Sequence, residues 1–256
     1  MLILLPPSEG KTAPARGKPL DLAALSHPTL GEVRRRVLDA LVATSHREDA
    51  ADVLGLGRTQ QDLIDRNRTL TTAPTARADR VYTGVLYDAL GFDSLSPAAR
   101  RRSATRVAVT SSLFGLVRPT DRIPAYRLSG DATLPGLGGV AATWREAFPT
   151  AVSESLGTGL LVDLRSGTYA AFWKPGPELA DRVATVRVLH EVDGKRSVVS
   201  HFNKATKGRI VRALLEHGGN PRTPSALARL LGELGWRVET AATGSGTRLD
   251  VVVDQV

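Results

Sequence analysis

Strand-like apolar runs and amphipathic helical segments are mixed along the whole of this chain. No repeat, low-complexity tract or composition break marks a linker, and that continuous mixing is what most restricts the fold. The first run, residues 1–5, is uniformly apolar and is stopped by Pro6 and Pro7, which predicts a buried strand and then a loop. In residues 31–45 the apolar positions Val33, Val37, Leu38, Leu41 and Val42 recur at helical spacing, so a helix is predicted with Arg34, Arg35 and Arg36 turned to water. Further helices are predicted over residues 59–70, 96–102, 206–217 and 224–234, with Ser96 and Thr223 as caps and Pro97 and Pro224 at the first helical positions. Strands are predicted over residues 106–111 and 160–164. A hairpin of residues 183–192 and 197–202 turns at Asp193-Gly194, and residues 236–241 and 249–254 form two closing strands joined through Gly244-Ser245-Gly246. These elements make one α+β domain over residues 1–256, a single compact mixed α/β domain long enough to bury a core without staples.

The chain has no cysteine, which excludes disulfides, zinc-thiolate sites, iron–sulfur clusters and a cysteine nucleophile. Its five histidines are scattered without ligand spacing, so no intrinsic metal site is expected. The apolar start is too short for a signal-peptide core and no later run approaches a membrane span, so a cytoplasmic protein without a membrane partner is expected, with a monomer favoured. The formal charge of +8 favours an anionic partner, either nucleic acid or a phosphorylated small molecule. The surplus of Arg and Ala is also what a GC-rich genome produces, in which case much of the basicity is solvated surface. Aromatic residues make up 5% of the chain and do not recur through a basic segment, which argues against a stacking platform for single strands.

Five segments carry candidate chemistry. Pro6-Pro7-Ser8-Glu9-Gly10-Lys11-Thr12 follows the first strand and ends as phosphate-binding loops end, but Leu5 stands where such a loop needs another glycine, leaving Lys11 as a point charge for one phosphate. Tyr82-Thr83-Gly84-Val85-Leu86-Tyr87 reads either as a close backbone approach or as core packing with satisfied hydroxyls. The turn-rich run from Ser111 to Leu128 holds Arg118 and Arg127, suited to bidentate anion contacts, with one of them expected to brace the loop on Asp121. Asp163-Leu164-Arg165-Ser166-Gly167-Thr168-Tyr169, followed by Trp173-Lys174-Pro175, exposes Ser166 at a turn with Tyr169 and Lys174 nearby. His201-Phe202-Asn203-Lys204-Ala205-Thr206-Lys207-Gly208-Arg209 leads from a strand into a helix and sets Lys204, Lys207 and Arg209 at its start. Cations there oppose the helix dipole, and an anion bound between them and the helix end would account for them.

In this order and spacing the five motifs resemble the YaaA family of bacterial peroxide stress proteins over nearly the whole chain. The matching positions are Lys11, Tyr82, Gly84, Gly115, Arg118, Pro119, Tyr126, Arg127, Ser166, Tyr169, Lys174, Phe202, Lys204, Lys207 and Gly208. The resemblance implies a positively charged cleft, a role in limiting damage when peroxide meets intracellular iron, and affinity for DNA through a variant helix-hairpin-helix, for which only Leu54-Gly55-Leu56-Gly57-Arg58 fits here. Asp163 stands where many relatives carry an amide, which changes the local charge. Two readings follow. In one, a non-enzymatic basic cleft grips the DNA backbone. In the other, an enzyme takes ATP or another phosphorylated metabolite, with Mg²⁺ entering on the phosphates. Lys11, Arg118, Arg127, Ser166, Lys174, Lys204, Lys207 and Arg209 are the candidate binding residues, and Lys11, Tyr82, Tyr169 and Arg127, with Glu9, the candidate proton carriers and catalytic groups.

Overall fold

The computed structural model describes residues 1–254, and of Arg58, Ser200 and His201 the backbone only. In chain order the elements that position the site are β1 (Leu2–Leu5), α1 (Gly31–Ser45), α2 (Ala50–Val53), α3 (Gln61–Arg68), α4 (Val85–Leu90), α5 (Pro97–Arg106), β2 (Val107–Ser111) and β3 (Gly115–Val117). There follow β4 (Leu161–Asp163), α6 (Gly167–Ala170), β5 (Val183–Val192), β6 (Lys195–Ser197), α7 (Ser200–His217), α8 (Pro224–Glu233), β7 (Arg237–Thr243) and β8 (Gly246–Val253). Among the described residues no helix is long and apolar enough to cross a membrane.

The fold is a single-domain mixed α/β fold around one eight-stranded sheet of order β7-β8-β5-β4-β1-β2-β3, with β6 hydrogen-bonded to the far end of β5. The five inner strands run parallel, and the hairpins β7–β8, β2–β3 and β5–β6 add the antiparallel pairs. Parallel strands are covered on both faces, which is why β1 is apolar at every position and all four of its residues are 0% exposed. Strand β1 is also the switch point of the sheet: the chain that leaves it builds β2 and β3 on one side, then returns to lay β4 and β5 on the other. In open sheets of this kind ligands sit beyond the carboxyl end of the strand at that switch.

Strand lengths open the space there. β4 pairs with β5 from Leu161 opposite Val183 as far as Asp163 opposite Thr185, so β5 continues from Val186 with no β4 partner beside it. Helix α7 closes the gap by lying against α4, and the closeness of that packing falls on Gly208, where a Cβ would stand 2.9 Å from the Ala89 Cβ and collide with the Leu86 carbonyl.

Three local expectations change. Arg34 does not face water: it is 0% exposed, and its guanidinium donates to the carbonyls of Ser26 at 2.6 Å, Phe114 at 2.9 Å and Leu116 at 2.9 Å. The helical pattern hid this because a long side chain can carry its charge across the core boundary to backbone carbonyls of other segments. The hairpin after β5 is shorter than predicted, since β6 spans Lys195–Ser197 and Phe202 is already in α7. Because α7 starts at Ser200, Lys204 and Lys207 lie one and nearly two turns inside it, beyond the reach of the terminal dipole, so the dipole argument for an anion at this helix end is withdrawn. The caps hold as read: Ser96 Oγ accepts from the Ala99 N–H at 3.2 Å and Thr223 Oγ1 from Ala226 at 3.2 Å.

Candidate functional site

Beyond the carboxyl ends of β1 and β4 lies a cavity of about 770 Å³. Its walls are the loop from Pro6 to Gly10, the turn and first residues of α4 from Thr83 to Tyr87, the segment from Leu164 to Tyr169, the stretch of β5 from Thr185 to Arg187 where β4 ends beside it, and Asn203, Lys204 and Lys207 of α7. Four of the five motif segments read in the sequence therefore converge on one hole.

Its cations differ in what already occupies them. Arg165 is held by Asp163 through two buried hydrogen bonds of 2.9 and 2.7 Å and by the part-buried carbonyls of Tyr169 and Trp173. The charge introduced by Asp163 is thus neutralised in place, and the pair braces the wall. Arg187 is likewise committed to Asp250 at 2.7 Å through two nitrogens. Lys207 donates to the Leu164 carbonyl at 2.9 Å and keeps two further N–H groups; burial lowers its pKa, and the charge of Asp163 opposes that. Lys204 has no hydrogen bond or ion pair among the described residues and is exposed at the rim. Beside both, the Asn203 side-chain oxygen is buried with no hydrogen-bond partner among the described residues. Ser166 and Tyr169 line the same hole, and Tyr169 keeps its proton because burial raises its pKa above the usual phenol value.

Next to the cavity, on the inner side of the Pro6–Gly10 loop, lies a second cluster. The Lys11 Nζ donates to the Ser8 carbonyl at 2.7 Å and the Glu9 carbonyl at 3.4 Å, and stands 4.2 Å from the centre of the Tyr126 ring and 5.7 Å from that of Tyr82. This loop thus turns carbonyls toward a cation and is not a phosphate cradle of N–H groups. Burial lowers the Lys11 pKa from 10.5 to about 7, with the charge of Arg127 adding to the shift. Arg127 donates to Glu9 Oε2 at 2.9 Å, while its Nε is buried with no hydrogen-bond partner among the described residues. Glu9 is held below the usual carboxylate range by that hydrogen bond first, and by the charges of Arg127, Lys11 and Lys204. One carboxylate thus lies among the three cations to which the motifs gave most weight. Tyr82, Tyr126 and Ser111 form a buried chain of hydroxyls at 3.1 and 2.7 Å, and the Tyr87 hydroxyl donates to the Pro6 carbonyl at 2.7 Å.

The remaining expected residues lie elsewhere. Arg118 donates to the carbonyls of Thr105 at 2.8 Å and Val107 at 3.2 Å, and its backbone N–H to Asp121 at 2.8 Å, so it braces its loop and is not at the cavity. Lys174 and Arg209 are exposed and do not line the hole. The segment Leu54-Gly55-Leu56-Gly57 joins α2 to the single turn before α3, with Gly55 at a φ of 61°, and does not line the cavity either. The side chains of Arg58 and His201 are outside the described residues. Asn203, Thr185 and Arg187 were not picked out: Asn203 sits inside a motif read only for its cations, and nothing in the sequence of β5 says that β4 stops short beside it.

The family described as peroxide stress protein YaaA matches residues 1–242 of the chain. A UPF0246 protein of Streptomyces coelicolor is 51% identical over the full length of both chains. A UPF0246 protein of Corynebacterium efficiens is 44% identical, covering 93% of this chain and 95% of the relative. An uncharacterized protein of Campylobacter jejuni is 28% identical over 82% of this chain and 83% of its own length.

Proposed function

Since this chain belongs to the family of the peroxide stress protein YaaA, we propose that it serves in protection against iron-dependent peroxide damage and does so by binding a phosphate-bearing small molecule of nucleotide size. The observation that carries this reading is the pairing of cations that have N–H groups to spare, Lys204 and Lys207, with the unsatisfied oxygen of Asn203 on one wall of a 770 Å³ hole. That volume lies within the usual range of ligand sites, about 300–1,000 Å³, and its position at the sheet's switch point is where such folds take ligands. Lys204 and Lys207 receive phosphate oxygens, and Asn203 accepts from a hydroxyl or base edge. Mg²⁺ enters on the phosphates, and an ATP-dependent reaction is the enzymatic extension of the same reading.

Calorimetry with AMP and with ATP, with and without Mg²⁺, tests it. Binding to the wild type is expected to weaken by about tenfold in Lys204→Ala, which is ~1.4 kcal/mol, and by at least as much in Lys207→Ala. No nucleotide binding by the wild type ends the reading. The DNA alternative is favoured by the Gly55 turn between α2 and α3, and predicts instead that duplex DNA binds, that nucleotides do not, and that lengthening this turn, not Lys204→Ala, abolishes binding. The stress role has its own measurement: survival under peroxide of cells lacking the gene, restored by the wild type and not by the double variant Lys204→Ala, Lys207→Ala.

A further inference from the structure

Among the described residues, the cavity at the sheet's switch point is lined by the charged side chains of Arg165, Arg187, Lys204, Lys207 and Glu9. Two of the cations are backed by carboxylates, Arg165 by Asp163 and Arg187 by Asp250, which Arg248 shares from outside the cavity. Lys204 and Lys207 form no ion pair among the described residues. Two such cations suit a ligand end with a charge close to −2, which is what a phosphomonoester carries near neutral pH.

Glu9 is the exception, an anion on the wall of a hole whose other charges draw anions. It is exposed, yet it is also fixed. Its Oε2 accepts from Arg127 at 2.9 Å. Its backbone is fastened from the inner side, where the Lys11 Nζ donates to the carbonyls of Ser8 at 2.7 Å and of Glu9 itself at 3.4 Å, and Ser8 Oγ accepts from the Thr83 N–H at 3.1 Å. The other oxygen, Oε1, accepts from no group among the described residues. The hydrogen bond from Arg127 holds the carboxyl below its usual range, so near neutral pH Glu9 can only accept. A ligand that brings its anion to α7 must therefore bring donors to Glu9. Those donors are neutral, because a further cation would meet the charges of Arg127, Lys11 and Lys204 that already act on this carboxylate. Hydroxyls meet that condition, and a vicinal diol presents two of them together.

We propose that Glu9 sets the specificity of this cavity by accepting from the 2′- and 3′-hydroxyls of a ribose, so that the ligand is a ribonucleoside monophosphate and not its deoxy counterpart. The inference rests on the nucleotide reading above and sharpens it. Two elements then read the two halves of the ligand, the phosphate falling to Lys204 and Lys207 of α7 and the sugar to the loop after β1. Discrimination follows from the cost of the wrong sugar: a deoxyribose covers the carboxylate, strips water from it and returns no hydrogen bond. The same carboxylate opposes a DNA backbone, which brings phosphates and no 2′-hydroxyl.

The test is calorimetry of the full chain with AMP, 2′-deoxy-AMP and 2′,3′-dideoxy-AMP, on the wild type, Glu9→Ala and Glu9→Gln. The wild type is expected to bind AMP at least about tenfold more tightly than the dideoxy compound, as the loss of a hydrogen bond to a charged group predicts, with 2′-deoxy-AMP between them. Glu9→Ala brings the three affinities to near equality by weakening AMP, while dideoxy-AMP binds as before or more tightly. Glu9→Gln, which keeps an acceptor oxygen and loses the charge, retains part of the preference. A carboxylate that only steadies its loop gives another pattern: all three ligands weaken alike in Glu9→Ala and their ratios stay as in the wild type, which overturns the proposal. Equal binding of the three by the wild type overturns it too. Should Glu9→Ala fail to fold, the wild-type series and Glu9→Gln decide. Binding of AMP without a preference for the diol removes this inference and leaves the proposed function standing, whereas no nucleotide binding at all removes both.

Discussion

At the scale of single residues, the cations of this chain divide by what they already hold. Arg118 and Lys204 stand alike in the sequence, as basic residues in suggestive motifs, yet one is spent on two carbonyls and the other makes no hydrogen bond or ion pair among the described residues. Arg118→Ala is therefore expected to lower stability by about 1 kcal/mol, the net worth of hydrogen bonds to one exposed and one part-buried carbonyl, with nucleotide affinity unchanged. Lys204→Ala does the opposite, leaving the urea midpoint in place while binding weakens. Lys11 makes a prediction in pH. Its pKa is about 7 in the folded chain against 10.5 for a free lysine, so between those values the unfolded chain binds more protons and stability rises with pH. The slope has a ceiling of about 1.4 kcal/mol per pH unit, lowered by whatever solvent reaches the amine. Urea unfolding of the wild type and Lys11→Met across that window checks it: the variant's curve lacks this rise, and identical curves refute the assignment.

At the scale of elements, the cavity depends on how α7 meets α4 and on where β4 stops. Gly208 is the contact point, and a methyl group there meets the backbone of α4 at Leu86 and Leu90. Gly208→Ala is expected to cost about 1–3 kcal/mol or more through overpacking and to weaken ligand binding with it, because α7 must move outward carrying Lys204 and Lys207. A melting temperature equal to that of the wild type contradicts this account of the packing. Much at this scale was legible. The apolar run of residues 1–5, the helical spacing of residues 31–45 and the Ser96 and Thr223 caps are local signals, and local physics honours them. The start of α7 was not legible, because Val198 and Val199 read as strand and only the fold terminates β6 at Ser197 and lets the helix begin at once.

At the scale of the whole molecule, the charge of +8 makes a distinction between ligands. A duplex held by several lysines and arginines loses affinity steeply with salt, with a log–log slope of about −0.9 per phosphate neutralised, while a nucleotide held by Lys204 and Lys207 in a cavity shows a slope of about −2 or shallower. Titration of both ligands over a range of salt concentrations separates a basic surface from a built site. The sequence by itself determined the mixed α and β character, most elements and the family, since each is written in local spacing or in the order of motifs. It also named Lys11, Arg127, Ser166, Lys204 and Lys207 as residues to watch. Only the tertiary structure decided which of the basic residues are free, because that turns on what the fold places beside each: Arg34 is buried against Phe114 and Leu116, Glu9 reaches across 118 positions to Arg127, and even the near neighbours Asp163 and Arg165 meet only because the chain turns after β4. Charge is a property of a residue, but its availability is a property of what the fold has placed beside it.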